Sequence, residues 1–180
     1  MRHLAVSVIG RDRPGIVAAV TRALLGHGAN IEDSQSTILR GRFTMTLIVE
    51  ADDEVEEAAL RADLERAAAE LGLDAVTVSP VTDSEPAATT DPSHIVTVYG
   101  VDHPGIVNAV ASALASCDVN ITDLNTRLVG DPGSDDLYAM MLEVALPQGL
   151  SAEGLTSLLE ATRREQGVEV TIRDLDQDAL

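Results

Sequence analysis

Gly10-Arg11-Asp12-Arg13-Pro14-Gly15-Ile16-Val17 returns later in the chain as Gly100-Val101-Asp102-His103-Pro104-Gly105-Ile106-Val107. Asn30-Ile31-Glu32-Asp33 returns as Asn120-Ile121-Thr122-Asp123. Gly10 to Gly100 and Asn30 to Asn120 are both steps of 90, so the distance from turn to Asn-Ile step is the same in each copy. A repeat of this length is a small domain rather than a solenoid unit. The repeated segment joins a strand to a helix, and such loops are where binding sites concentrate.

Working outward, Leu4, Val6 and Val8 alternate with Ala5, Ser7 and Ile9, the period of a strand. Ile16, Val17, Val20 and Leu24 then recur at helical spacing, predicting a helix from about Pro14 to His27-Gly28. Gly28 suits the left-handed conformation of a C-terminal cap, and Asp118 in the second copy also tolerates it. Ile31 to Leu39 reads as a polar strand. Phe43, Met45, Leu47 and Val49 mark an apolar one with period two. Leu60, Leu64, Ala67, Ala68 and Leu71 stripe a second helix. Val76 to Val81 closes the unit and carries Pro80, which suits a sheet edge.

The second copy repeats the order. Ile95 to Tyr99 is its first strand, and Ile106, Val107, Val110 and Leu114 stripe its first helix. Leu137 to Leu146 is its third strand. Leu155, Leu158 and Leu159 mark its second helix, and Val168 to Ile172 its last strand. Residues 130–136 form a longer hairpin loop than residues 40–42.

The order βαββαβ predicts an α+β fold of two ferredoxin-like domains, each an antiparallel sheet with helices packed on one face. First and third strands are central in that fold. Here those are the apolar ones, while the polar strand and the Pro-bearing strand fall at the edges. The expected domains are 1–81 and 94–175, with a Pro-containing linker at 82–93 and an acidic tail at 176–180.

Composition limits the function. The chain of 180 residues has no Trp, one Phe and two Tyr, so it offers little for base stacking. Net charge is −18 and all 12 basic residues are Arg. Phosphate backbones and anionic lipid surfaces would repel such a chain. Neither direct nucleic-acid binding nor membrane binding is expected, and a regulatory role must run through a protein partner. Cys117 is the only cysteine, and no Cys/His cluster has metal-ligand spacing, so neither a disulfide nor a metal is expected. Met1-Arg2-His3-Leu4 leads straight into a strand without an apolar signal core, and the cytoplasm is the expected location. No Gly-rich phosphate loop and no nucleophile–base motif is present, so neither catalytic residues nor a cofactor is expected.

The repeated loop has a charge layout of its own. Free N–H groups at Gly15 and Ile16, at the positive end of a helix, can receive a carboxylate. Asp12 places a negative charge beside that pole for an ammonium group. The Asn30 amide can donate and accept. Together these are the requirements of an α-amino acid. Asp-x-Pro-Gly is also plain helix-start chemistry, and the loop alone leaves that alternative open.

Asp12-Arg13-Pro14-Gly15-Ile16-Val17 followed by Gly28-Ala29-Asn30-Ile31 resembles the ACT domain, a small-molecule regulatory module, in the form found in glycine cleavage system transcriptional repressors. Similar domains precede the catalytic parts of formyltetrahydrofolate deformylase and of some phosphoserine phosphatases. The resemblance covers both copies. It implies an amino-acid ligand, glycine or serine, held between paired units, either within the chain or across the expected homodimer. The implied ligand-binding residues are Gly10, Asp12, Arg13, Pro14, Gly15, Ile16, Asn30 and Ile31, and Gly100, Asp102, His103, Pro104, Gly105, Ile106, Asn120 and Ile121. The family's repressors act on a regulatory protein, in keeping with the acidic charge. His103 in place of Arg13 and Asp118 in place of Gly28 imply two unequal sites, or one site and one structural relic. Two other functions remain open. One is a ligand-independent interaction module using the edge strand from Ile31 to Leu39. The other is a stand-alone regulatory subunit of an amino-acid or folate one-carbon enzyme.

Overall fold

Alternation and helical periodicity become twelve elements in the computed structural model, which describes residues 1–81, 91–129 and 137–175. The first unit contains β1 (Arg2–Arg11), α1 (Ile16–Gly26), β2 (Asn30–Leu39), β3 (Arg42–Ala51), α2 (Glu57–Leu71) and β4 (Leu73–Val81). The second contains β5 (His94–Val101), α3 (Ile106–Ala115), β6 (Asn120–Val129), β7 (Leu137–Ala145), α4 (Ala152–Gln166) and β8 (Glu169–Asp174). The two form separate compact units. The expected linker residues 82–90, the long hairpin loop 130–136 and the tail 176–180 lie outside the described residues. Ser93, placed in the linker by sequence, is bonded into the second unit. Its N–H donates to the Val144 carbonyl at 2.9 Å, and its own carbonyl accepts from Leu175 N–H at 2.9 Å.

Each unit is a four-stranded antiparallel sheet, ordered β2-β3-β1-β4 and β6-β7-β5-β8. The apolar strands are central and the polar strands are edges, as the sequence predicts. Every residue of β2 is exposed. Pro80 sits on edge strand β4 opposite Leu4, where its missing N–H costs the ladder least.

The core lies between sheet and helices because alternate strand residues share one face. Leu4, Val6 and Val8 of β1 and Phe43, Met45, Leu47 and Val49 of β3 bury against Ile16, Val20 and Leu24 of α1 and Leu60 and Leu64 of α2. Full burial of each such side chain stabilises by about 1.5–3 kcal/mol. Truncating the fully buried Leu60 to Ala would cost about 2–5 kcal/mol. The second core repeats the arrangement with Val96, Val98, Ile106, Val110, Leu114, Met140, Leu142, Val144, Leu155 and Leu159.

α1 starts at Ile16, not at Pro14, because Gly15 has φ 99° and ends the turn in the left-handed region. Pro14 therefore belongs to the turn. Gly28 (φ 66°) and Asp118 (φ 55°) both take the left-handed conformation that sequence assigned to them. Arg42 pairs with Asp74 on β4.

Candidate functional site

The loop between β1 and α1 is shaped by two contacts that recur in the second unit. At Gly10, an added Cβ would stand 2.6 Å from Leu73 Cδ2 and 2.9 Å from Leu73 Cα. At Gly100 it would meet Val168 Cγ1 at 2.9 Å. Both glycines permit close approach of the first and last strands, and at Ile9/Gly10 the β1–β4 register shifts. Next, Arg13 Nη1 donates to the Leu71 carbonyl at 2.9 Å. His103 Nε2 donates to the Gln166 carbonyl at 2.9 Å. Leu71 and Gln166 are the last residues of α2 and α4, so the two side chains do the same job. Each ties the loop to a helix C-terminus, where positive charge is favoured.

His103 Nδ1 also faces a carbonyl, that of Pro104, at 3.2 Å. Carbonyl oxygens only accept, so both ring nitrogens are satisfied as donors only in the imidazolium form. The Gln166 hydrogen bond, then that to Pro104, raises the His103 pKa above its ordinary value of 6.5, and the Asp102 charge adds to this. The Arg13/His103 difference thus exchanges one tie between loop and helix end for another. It is no evidence of two different ligand sites.

Gly15 and Gly105 carry the turn at φ 99° and 110°. The first helical bonds are Ala19 N–H to Gly15 O and Ala109 N–H to Gly105 O, both 2.9 Å. The N–H groups of Ile16, Val17 and Ala18, and of Ile106, Val107 and Asn108, precede these bonds and have no partner within the helix. The Ile16 and Ile106 side chains are buried, so these residues could offer a ligand only backbone. Space beside Gly15 is open, with no atom within 4 Å of an added Cβ. Asp12, Asp102, Pro14 and Pro104 are exposed. Asp12 N–H donates to the Gly41 carbonyl at 2.9 Å, which pins the loop to the β2–β3 hairpin.

Asn30 and Ile31 do not join this cluster within one unit. Asn30 pairs with Glu50, and Glu50 pairs with His3, so Asn30 lies at the N-terminal end of β1. Gly10 is seven residues along that strand, roughly 23 Å away at about 3.3 Å per residue. Asn120 pairs with Ala145 at the matching end of the second sheet. The candidate residues thus divide into two half-sites at opposite ends of each unit. In the first unit the Asn30 end opens into a groove of about 520 Å³ between α1 and β2, lined by Ala18, Leu25, Ala29, Asn30 and Ile31 among others. Beyond the candidates, His3, Glu32 and Glu50 converge at this same end, though no local spacing marks them in the sequence.

The sequence matches the ACT domain over residues 2–78 and again over residues 94–173. The chain belongs to the ACT domain family. Both turn copies and both Asn-Ile steps fall inside the matched stretches. A UPF0237 protein of Methanopyrus kandleri is 44% identical over 77 residues, covering 42% of this chain and 86% of that protein. The phosphoserine phosphatase SerB2 of Mycobacterium tuberculosis is 28% identical over 171 residues, 94% of this chain but 40% of the phosphatase. Among solved structures, a protein of unknown function from Galdieria sulphuraria superposes with TM-score 0.79 at 28% identity, covering 97% of this chain and 98% of that one. A candidate glycine cleavage system transcriptional repressor superposes with TM-score 0.73 at 18% identity and 97% coverage of each chain, a likeness of fold. Both ACT units therefore have the tandem ferredoxin-like architecture predicted from the repeat. No helix among the described residues is long and apolar enough to cross a membrane.

A part-buried contact of the first ACT unit is replaced in the second. In the first, His27 Nε2 lies 2.9 Å from Asp63 Oδ2, joining the end of α1 to α2. That hydrogen bond, helped by Arg66, lowers the Asp63 pKa. In the second unit the matching residues, found at the loop offset of 90 and the Leu71-to-Gln166 offset of 95, are Cys117 and Leu158. Both pack against the core. Cys117 is half-buried there.

Proposed function

We propose that this ACT protein is an amino-acid-binding regulator. Glycine or serine would be its ligand, and it would act on transcription or metabolism through a protein partner in the cytoplasm rather than by catalysis. The observation that carries this reading is the division of each unit into two half-sites at opposite ends. One end offers the unpartnered N–H groups behind Gly15 with exposed Asp12. The other offers Asn30 beside an apolar groove. A two-fold axis through the exposed edge strand β2 exchanges these ends. Antiparallel pairing of β2 with β2 of a second copy would set Asn30 of one unit against the Gly15 turn of the other. The carboxylate would meet the helix N-terminus and the ammonium Asp12. The ligand would then favour the paired over the unpaired state, the differential affinity that any such coupling requires. The likeness to a phosphoserine phosphatase over 171 residues favours a ligand of the serine and glycine class.

Thermal melts of the protein against the amino acids test this. Ligand at a hundred times its dissociation constant adds about 2.7 kcal/mol of stability. That is a rise of roughly 10–20 °C for domains of this size. Asp12→Asn with Asp102→Asn should remove the shift by taking away the ammonium partner, and Asn30→Ala with Asn120→Ala should weaken it. No shift with any amino acid excludes the sensing role. Gly15→Val is a poor probe, because at φ 99° any side chain strains the turn whether or not a ligand binds.

The fully exposed β2 favours a second reading, a ligand-independent interaction module that pairs by its edge. Pairing unchanged by added amino acids would select it.

A further inference from the structure

His3, Glu32 and Glu50 come from three different strands and reach one point. His3 and Glu50 are directly paired across β1 and β3. Side chains directly opposite in such a ladder lie on the same face of the sheet. Glu32 arrives by a different device. The β2–β3 register passes from Ile31↔Val49 to Asp33↔Ile48, so Glu32 is the extra residue of a β-bulge. Bulges re-aim side chains in this way. His3 Nε2 stands 3.1 Å from Glu32 Oε2. One ligand atom from each of the three residues lies within 4.8 Å of the others.

We infer that His3, Glu32 and Glu50 form a binding site for one divalent transition-metal ion of the zinc and manganese class. One imidazole nitrogen with two carboxylate oxygens is a donor set such ions accept. Donors on one tetrahedral zinc stand about 3.3 Å apart, given bond lengths near 2.0–2.1 Å. The His3–Glu32 distance is already of that size, and a rotation of Glu50 closes the third side. Two carboxylates this close repel each other, and a dication offsets both. Three protein ligands leave at least one coordination position open to water or to a ligand's carboxylate or amine.

The duplication supplies the comparison. The same bulge occurs between Ile121 and Asp123 in the second unit. There the matching residues are Ser93, Thr122 and Ala145, and Thr122 Oγ1 donates to the Glu143 carbonyl at 3.2 Å. The fold therefore does not require His, Glu and Glu at these places. All three ligand types occur together in one unit and are all missing from the other. The inference is independent of amino-acid binding.

Calorimetric titration of the full chain with zinc and with manganese, after chelator treatment and in a non-coordinating buffer, tests it. One ion per chain is expected, with a dissociation constant in the micromolar range or below. Glu32→Gln and Glu50→Gln, both conservative, should each weaken binding at least tenfold with unchanged circular dichroism. His3→Ala should do the same, while His94→Ala in the second unit should have no effect. Loss on His3→Ala with both Glu variants at wild-type affinity overturns the three-ligand site. So does the absence of binding by either metal below millimolar concentration.

Discussion

His103 Nε2 donates to the carbonyl oxygen of Gln166 at 2.9 Å, repeating the contact that Arg13 makes with Leu71 in the first unit. Protonation strengthens the His103 link and lets Nδ1 donate to the Pro104 carbonyl as well, whereas the Arg13 link carries its charge throughout. The pKa of His103 is raised in the folded state, so its stabilising contribution is complete below the unfolded value near 6.5. That contribution is lost as pH rises through the raised folded value. His103→Ala should therefore lower the melting temperature of the second unit more at about pH 5.5 than at about pH 8.5. His103→Arg should keep the link at both. Equal effects of the Ala variant at the two pH values would show that the imidazolium is not what holds the loop.

Gly10 and Gly100 are needed by the sheet before any ligand is considered. Gly10→Ala forces a Cβ against the Leu73 backbone and should cost about 1–3 kcal/mol. Gly100→Ala should cost less, because its nearest contact is a Val168 methyl and the Val168 backbone is 3.3 Å away. Chemical denaturation of the two variants measures this. A loss of ligand response with unchanged stability would instead assign Gly10 to the binding site.

Asp118 occupies a left-handed position where the first unit has Gly28. Asp118→Gly should stabilise the second unit by about 0.5–1 kcal/mol, and Gly28→Ala should destabilise the first by about 1 kcal/mol. The midpoints of urea unfolding decide it. The difference between the copies at this place is then one of backbone strain, without bearing on ligand choice.

Exposed Ile38 and Leu39 lie near the end of edge strand β2, at 54% and 62% exposure. Lysine on an edge strand opposes strand-to-strand pairing. Ile38→Lys with Leu39→Lys should raise the dissociation constant of a β2-paired dimer at least tenfold and leave the melting of the monomer within about 0.5 kcal/mol of wild type. Light scattering across a dilution series reads the first, and denaturation the second. An unchanged association state removes β2 as the pairing edge.

Much of the fold was legible because the determinants are local. Val6 and Val8 alternate with the less buried Ala5, Ser7 and Ile9, Val20 and Leu24 repeat at helical spacing, and Pro80 marks an edge. Such features report which face of an element is apolar, whatever else the chain does. Gly28 and Asp118 were legible for the same reason, since a left-handed cap is a property of one residue. The start of α1 lies two residues beyond the predicted one because the pattern of apolar side chains does not reveal where Gly15 turns to positive φ.

The candidate site was less legible. Arg13, His103, Gly10 and Gly100 were grouped with the ligand-binding residues because they sit in the repeated loop. Their contacts, with Leu71, Gln166, Leu73 and Val168, lie more than fifty residues away in sequence. Local spacing cannot show such contacts. The convergence of His3, Glu32 and Glu50 has no local signature for the same reason.

By itself the sequence determined two copies of one unit, the order of its elements, its central and edge strands, and the loop shared by both. Tertiary structure decided which loop residues are held by packing, that Asn30 and Gly15 stand at opposite ends of a unit, and that a histidine and two glutamates meet on one sheet. The division has a physical cause. Periodicity and turn chemistry act between neighbours along the chain. Strand register, a bulge at Glu32 and the meeting of a loop with a helix end exist only once distant segments have packed.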